Sequence, residues 1–180
     1  MPNSNITLIG MPGSGKSTVG VVLARAGAMS FLDSDRLIER VEGKKLFEIS
    51  DAVGLKGFRE VENRVNASID AENTVIATGG SVIYGPEAMA HLRDISHVVY
   101  LCLPYPAIEA RLGDLHARGV SIAPGQTLLD LYNERCPLYE KYAHFAVDCE
   151  GLRPREIAAI ILERTGRDAP GLFAPSDAVE

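Results

Sequence analysis

Residues Gly10-Met-Pro-Gly-Ser-Gly-Lys-Ser17 follow the pattern G-x-x-x-x-G-K-S, and the residues on each side give them a strand–loop–helix setting. An apolar run, Ile6-Thr-Leu-Ile9, precedes the loop, and apolar residues at positions 19, 22, 23 and 26 follow it with helical spacing. The glycines let successive backbone N–H groups converge at the positive end of the following helix, where they bind a phosphate. A glycine-rich turn that binds nothing is the alternative, but chance rarely supplies Lys-Ser at this spacing. The stretch therefore predicts a nucleoside triphosphate-binding P-loop.

Two residues of this loop have distinct predicted roles. Lys16 is expected to reach the β- and γ-phosphates of ATP as a point charge, and the hydroxyl group of Ser17 to ligate Mg²⁺. The other residues predicted to contact the nucleotide here are Gly13, Ser14, Gly15 and Thr18.

Composition limits the class of protein. A chain of 180 residues with 46% hydrophobic and 23% charged residues is typical of one soluble globular domain. A net charge of −6 argues against a general nucleic-acid binder. The three cysteines (Cys102, Cys136 and Cys149) have no metal-ligand spacing, and an odd number cannot all pair. With neither a signal peptide nor an apolar run of membrane-spanning length, we expect a cytoplasmic protein with reduced thiols and no membrane partner.

Apolar β-branched runs alternate with helical patterns, which predicts βαβ units and a parallel sheet with helices on both faces. Strands are predicted near 5–10, 30–33, 73–78, 97–102 and 144–148. Helices are predicted near 16–27, 34–42, 45–52, 56–70, 86–93, 105–113, 127–141 and 154–165. We expect residues 1–166 to form one domain, in which the glycine-rich segment at about 113–126 is a lid. Residues 167–180 contain two prolines and no periodicity, which predicts a disordered tail.

Asp33 and Asp35 lie at the end of the second predicted strand. Because ligands bind outside the carboxyl ends of strands in open α/β sheets, both carboxylates are expected to face the phosphate site. Phosphoryl transfer needs one carboxylate to organise Mg²⁺ and another to orient or deprotonate the attacking hydroxyl group. Asp33 fits the first role and Asp35 the second. The alternative is that Asp35 only caps the next helix.

Arg59 and Glu62 are three residues apart, so they share one face of a predicted helix. One interpretation is a solvated ion pair worth roughly a few tenths of a kcal/mol. The other is an arginine that Glu62 holds toward a substrate carboxylate. Gly79-Gly80 follows the next predicted strand, where it is either a plain turn or a point of close backbone approach to a ligand.

Three arginines, Arg111, Arg118 and Arg135, cluster around the interrupted segment. An arginine in a loop over a triphosphate can neutralise charge that develops during phosphoryl transfer. For each of them taken singly, an ordinary surface position is the favoured interpretation.

Taken together, these residues resemble the shikimate kinase family of small P-loop kinases, and the resemblance covers the chain from Ile6 to about Thr165. Five signals occur in the family's order: Gly-Met-Pro-Gly-Ser-Gly-Lys16-Ser17-Thr18, Leu32-Asp33-Ser-Asp35, Phe58-Arg59-x-x-Glu62, Thr78-Gly79-Gly80 and Arg135-x-Pro137-Leu-Tyr139. The combination is much more specific than the P-loop alone. It implies a P-loop NTPase of the α/β class, a three-layer sandwich around a five-stranded parallel sheet of order 2-3-1-4-5. We also expect the protein to be a monomer.

The resemblance also implies roles for individual residues. Substrate would be bound by Asp35, Arg59, Glu62, Gly79, Gly80 and Arg135, with the two arginines on its carboxylate. Ser17 and Asp33 would organise Mg²⁺, and Arg111 and Arg153-Pro154 would lie near adenine. Lys16, Asp35 and the lid arginine Arg118 would carry the transfer from ATP.

The chain departs from the family pattern where the acceptor would be recognised. The usual Gly-Gly-Gly is Gly79-Gly80-Ser81, the usual lid sequence Arg-Pro-Leu-Leu is Arg118-Gly-Val-Ser121, and a usual Gly-Glu is Gly54-Leu55. We therefore expect ATP-dependent phosphorylation of a small metabolite that carries a carboxylate and a hydroxyl group, with shikimate as first choice. The alternatives are a kinase of the same fold acting on another acceptor, such as homoserine, and a nucleotide-binding module without catalysis.

Overall fold

Five parallel strands form the centre of the molecule in the computed structural model, which describes residues 4–112, 122–123 and 125–170. The strands are β1 (Asn5–Ile9), β2 (Ser30–Asp33), β3 (Thr74–Ala77), β4 (Ser96–Cys102) and β5 (Phe145–Asp148). They make one sheet of order β2-β3-β1-β4-β5, and each neighbouring pair is parallel. The predicted fold class and strand order are confirmed.

Helices connect the strands and cover both faces of the sheet. They are α1 (Lys16–Ala26), α2 (Ser34–Glu42), α3 (Leu46–Ala67), α4 (Pro86–Ile95), α5 (Tyr105–Leu112), α6 (Leu128–Tyr142) and α7 (Pro154–Arg164), with a short 3₁₀ helix at Val82–Tyr84. None of the helices in the described ranges combines the length and apolar character that crossing a bilayer requires.

Two predicted features lie largely outside the described residues. These are most of the lid predicted at 113–126, including Arg118, and residues 171–180 of the predicted tail. The division into a domain, a lid and a tail stays a prediction.

The inner strands are buried on both faces, which explains why they are continuous apolar runs rather than alternating ones. Ile6 and Leu8 in β1, and Val75 and Ile76 in β3, are all fully buried. By contrast, β2 is an edge strand, and Phe31 on it is partly exposed. Because the inner strands are fixed by burial, the loops that follow them start from defined positions.

The strand order brings three loops together at one edge of the sheet. Since β3 lies between β2 and β1, the ends of these strands are neighbours. The P-loop follows β1, Asp33 ends β2, and Thr78 and Gly79 follow β3. Crevices at the carboxyl ends of parallel strands are the usual ligand sites of such sheets.

The helices predicted at 45–52 and 56–70 meet at Gly54, and the structure joins them as α3 with a kink at that residue. Gly54 has φ 68° and ψ 179°, outside the helical region. The short 3₁₀ helix at Val82–Tyr84 was not predicted, because three residues are too few for a periodic pattern. Both differences are local and leave the order of the elements unchanged.

We expect Gly54→Ala to lower the free energy of unfolding by about 1–3 kcal/mol, because these dihedral angles are open essentially to glycine alone. Gly43→Asn is the matched control, since Gly43 has φ 66° and ψ 20°, a left-handed conformation that asparagine tolerates. A Cβ atom at either position meets nothing within 4 Å, so the comparison isolates backbone strain from packing. Urea denaturation measures the loss of unfolding free energy in both variants. Equal losses would contradict the expectation that Gly54 occupies a conformation strained for other residues.

Candidate active site

The P-loop forms a closed turn between β1 and α1. Gly10, Gly13 and Gly15 all have positive φ, and the backbone N–H of Ser14 donates to the carbonyl oxygen of Met11 at 3.1 Å. α1 begins immediately after Gly15, so its N-terminal end faces the hollow of the loop. This is the geometry that binds a phosphate through backbone N–H groups and the helix dipole.

The ammonium group of Lys16 is held against the loop that it follows. Its Nζ donates to the carbonyl oxygens of Gly10 at 2.8 Å and Met11 at 2.9 Å, and the residue is only 8% exposed. Burial lowers the pKa of Lys16 to about 8, and the nearby carboxylate of Asp35 opposes that shift. The positively charged side chain of Lys16 therefore lies where the phosphates are predicted to bind.

A cavity of about 600 Å³ opens beside Lys16. Its lining includes most of the residues that were predicted from the sequence: Gly13, Gly15, Lys16, Ser17, Thr18, Asp35, Glu62, Gly79, Gly80, Arg111 and Arg135. Further lining residues are Pro12, Leu46, Phe58, Thr78 and Ser81. The structure thus brings most of the predicted phosphate and acceptor residues into one cavity, whereas Ser14, Asp33 and Arg59 are not among its lining residues.

The structure assigns the helix cap at the start of α2 to Asp33 and not to Asp35. Asp33 is the N-cap of α2: its Oδ1 accepts from the backbone N–H groups of Asp35 at 3.0 Å and Arg36 at 3.2 Å. The interpretation of Asp35 as the cap is wrong, because Asp35 already lies in the first turn of the helix. Its carboxyl group lines the cavity instead.

Oxygen donors suited to a hard cation lie next to the P-loop. The hydroxyl group of Ser17 donates to Oδ2 of Asp33 at 3.4 Å. Mg²⁺ is usually bound through one or two protein oxygens together with substrate phosphates. The donor set of Ser17 and Asp33 therefore fits the predicted Mg²⁺ site.

Asp35 is a partly buried carboxyl group opposite Lys16. Burial, and after it the charge of Asp33, raise the pKa of Asp35, whereas Lys16 opposes the shift. An ionised carboxylate held beside a buried cation is suited to orient or accept the proton of a hydroxyl group.

Glu62 is a buried carboxyl group on α3, only 2% exposed. Its Oε2 accepts from the hydroxyl group of Ser81 at 2.5 Å, and its Oε1 has no hydrogen-bond partner among the described residues. Burial raises the pKa of Glu62 to about 7; the Ser81 hydrogen bond lowers it and Asp35 raises it further. An unsatisfied buried acceptor is costly, so Oε1 is suited to accept from a bound ligand.

The predicted pair of Arg59 and Glu62 does not form: within the described part of the chain, no ion pair joins them. The prediction that Glu62 holds Arg59 is wrong, because Glu62 turns toward Ser81. Arg59 stacks on Tyr84 instead, with its Cζ 3.7 Å from the ring centroid. The buried Nε of Arg59 has no hydrogen-bond partner among the described residues.

Arg135 lies on α6 and is almost fully buried beside the same tyrosine. Its exposed fraction is 1%, and its Nε donates to the hydroxyl group of Tyr84 at 3.4 Å. Its Cζ is 5.4 Å from the centroid of the Tyr84 ring. The two arginines predicted to share a substrate carboxylate therefore meet at Tyr84, a residue that the sequence analysis did not identify.

Gly79 and Gly80 are points of close approach rather than a plain turn. A Cβ atom on Gly79 would lie 2.6 Å from Oε1 of Glu62 and 2.9 Å from Oδ1 of Asp35. One on Gly80 would lie 2.9 Å from Cδ of Pro12 and 3.1 Å from an Nη of Arg135. Side chains at these positions would displace the charged groups that line the cavity.

Of the remaining predicted nucleotide contacts, one lines the cavity and two do not. Arg111 lines the cavity, and its Nη1 donates to the carbonyl oxygen of Gly13 at 3.3 Å. Arg153 and Pro154 lie at the start of α7, where Arg153 is exposed and pairs with Glu156 at 3.2 Å. Neither of these two lines the cavity.

The comparisons with known proteins agree with this geometry. A family model described as shikimate kinase matches residues 12–165. The shikimate kinase of Nitrosomonas europaea is 38% identical over 156 residues (80% of this chain and 70% of that protein), and that of Paracidovorax citrulli is 37% identical over 165 residues (89% of each). A solved shikimate kinase from Acinetobacter baumannii in complex with shikimate has a TM-score of 0.81 and 34% identity, covering 91% of this chain and 93% of that one.

We expect the stability of Glu62→Gln to improve relative to the wild type as the pH rises. Because burial raises the pKa of Glu62 from 4.5 to about 7, its favourable contribution is fully present below pH 4.5 and is lost as the pH rises through 7. Glutamine stays neutral and still offers an oxygen to Ser81, so it avoids that loss.

Melting temperatures measured without ligand at about pH 5 and about pH 8 test this expectation. Glu60→Gln, an exposed position on the same helix, is the control. A difference between Glu62→Gln and the wild type that does not change with pH would contradict it.

Proposed function

The chain belongs to the shikimate kinase family, and we propose that it transfers the γ-phosphoryl group of ATP to a hydroxyl group of shikimate, a step of aromatic amino-acid biosynthesis. The observation that carries this proposal is the cavity that is lined by a P-loop lysine, the buried Glu62, the partly buried Asp35 and the buried Arg135. The similarity to a shikimate kinase that was solved with shikimate bound supports the choice of acceptor.

On the nucleotide side, the backbone of the P-loop and Lys16 would bind the phosphates of ATP. Ser17 and Asp33 would hold Mg²⁺, which supplies neutralisation of the charge on the phosphate oxygens. Arg111 at the rim would approach the nucleotide, as would Arg153-Pro154. The predicted role of Arg118 falls on a residue outside the described ranges and stays a prediction.

On the acceptor side, we assign Asp35 to the hydroxyl group that attacks and Arg59 with Arg135 to the carboxylate. Asp35 lines the cavity together with Lys16, so an acceptor beside Asp35 also lies beside the phosphate site. A carboxylate would supply the acceptor that Nε of Arg59 lacks, and a hydroxyl group would supply the donor that Oε1 of Glu62 lacks. Gly79 and Gly80 leave room for this close approach.

The expected partners are small molecules. It stays a prediction that the protein is a monomer, is cytoplasmic and has no nucleic-acid partner. The cavity is of the size that small ligands occupy in proteins.

Release of ADP in a coupled assay tests the proposed function. With Mg²⁺ and ATP present, we expect kcat/KM for shikimate to exceed that for homoserine and gluconate by orders of magnitude. A preference for homoserine would contradict the acceptor and leave the kinase chemistry in place. Binding of ATP without transfer to any of the three acceptors would indicate a nucleotide-binding module.

We expect Asp35→Asn to lower kcat by about 10²–10⁴-fold, because a group that orients or deprotonates the acceptor hydroxyl contributes that much. The KM for ATP should change little. Asp33→Asn is the comparison variant, because loss of the Mg²⁺ ligand should weaken the binding of Mg–ATP. Steady-state kinetics of both variants measure this, and the reversed pattern would show that the two roles are exchanged.

A further inference from the structure

Tyr84 lies at the end of the 3₁₀ helix and contacts both arginines that are proposed to bind the carboxylate. The guanidinium group of Arg59 stacks on one face of its ring at 3.7 Å. Nε of Arg135 donates to its hydroxyl oxygen at 3.4 Å, and Cζ of Arg135 is 5.4 Å from the ring centroid. One tyrosine therefore bridges a residue of α3 and a residue of α6.

The hydroxyl group of Tyr84 is itself anchored. It donates to Oε1 of Glu134, and Oε2 of the same carboxylate accepts from Nε2 of Gln126 at 2.8 Å. The Tyr84 hydrogen bond lowers the pKa of Glu134, and the charges of Arg59 and Arg135 lower it further. The carboxylate thus fixes the tyrosine and supplies a negative charge near both guanidinium groups.

Tyr84 is not part of the core packing of its segment. Val82 and Ile83, the other two residues of the 3₁₀ helix, are 0% and 2% exposed and belong to the main hydrophobic core. Tyr84 is half-buried and lies outside that core. Tyr84 contacts charged side chains, whereas Val82 and Ile83 contribute to the packing of the hydrophobic core.

The orientation of Arg59 depends on this ring. Among the described residues Arg59 forms no ion pair, and its buried Nε has no hydrogen-bond partner, so the stack on Tyr84 is the contact that fixes its side chain. The face of an aromatic ring attracts a guanidinium group, which allows two like charges to lie side by side.

We propose that Tyr84 is a positioning residue that sets the affinity for the acceptor by holding Arg59 and Arg135 at the spacing that one carboxylate bridges. This inference rests on the proposed function. Because the tyrosine contacts the two arginines and is not among the residues that line the cavity beside Lys16, its removal raises the KM for shikimate and leaves kcat and the KM for ATP nearly unchanged.

The experiment compares Tyr84→Leu and Tyr84→Phe with the wild type in the ADP-release assay. Loss of the ring in Tyr84→Leu raises the KM for shikimate by roughly three- to thirtyfold, the range expected for a cation–π contact of a partly desolvated guanidinium. Tyr84→Phe keeps the stack on Arg59 but loses the hydroxyl contacts, so its KM lies between those of the wild type and Tyr84→Leu.

Tyr142→Leu is the matched control. Tyr142 also carries a cation over its ring, since Nζ of Lys141 is 5.3 Å from the centroid, but this cation is neither of the arginines that are proposed to bind the carboxylate. This variant keeps the wild-type KM for shikimate. Melting temperatures of all three variants separate effects on folding from effects on binding.

The outcomes distinguish the two proposals. A wild-type protein that is inactive on shikimate contradicts the proposed function and this inference with it. If the wild type is active, two results contradict the role of Tyr84 alone. One is an unchanged KM for shikimate in Tyr84→Leu, and the other is an equal rise in the KM for ATP and the KM for shikimate. If Tyr84→Leu does not fold, Tyr84→Phe decides: a raised KM for shikimate at unchanged kcat supports the proposal, and an unchanged KM overturns it.

Discussion

The contact between the ammonium group of Lys16 and the carbonyl oxygens of Gly10 and Met11 is the interaction on which the site depends. It closes the P-loop on itself and places a buried positive charge where β1 ends. A buried cation is costly unless it is hydrogen-bonded and has opposite charges nearby. The carboxyl groups of Asp35 and Glu62 supply those charges, and both act to raise the pKa of Lys16 against the effect of burial. The charge of Lys16 and the charges of the two carboxyl groups in the cavity therefore stabilise one another.

The same balance explains why two acidic groups tolerate burial at one end of the sheet. Burial raises the pKa of both Asp35 and Glu62, and the charge of Asp35 raises the pKa of Glu62 further. Lys16 favours ionisation of Asp35, and Arg135 favours ionisation of Glu62. A ligand that brings phosphates to Lys16 and a carboxylate to the arginines removes part of this compensation.

The sequence predicted the parts of this arrangement that depend on local pattern or on burial. The P-loop, the five strands and most helix bounds follow from glycine spacing and apolar runs. The inner strands give the clearest apolar runs, because they are buried on both faces. The strand order came from the family resemblance rather than from periodicity. Residues at the strand ends, such as Asp35 and Gly79, were placed correctly because the carboxyl ends of parallel strands share one edge.

The contacts of Arg59 and Glu62 could not be predicted in the same way, because they join elements that are distant in sequence. A spacing of three residues indicated that these two side chains pair, yet Glu62 accepts from Ser81 and Arg59 stacks on Tyr84. Both partners lie in the segment after β3, whose 3₁₀ helix is packed by Val82 and is too short for a sequence signal. That segment supplies the hydrogen bond that fixes a buried carboxyl group and the ring that fixes an arginine. The positions of Arg59 and Glu62, to which we assign contacts with the acceptor, therefore depend on how this segment packs against α3.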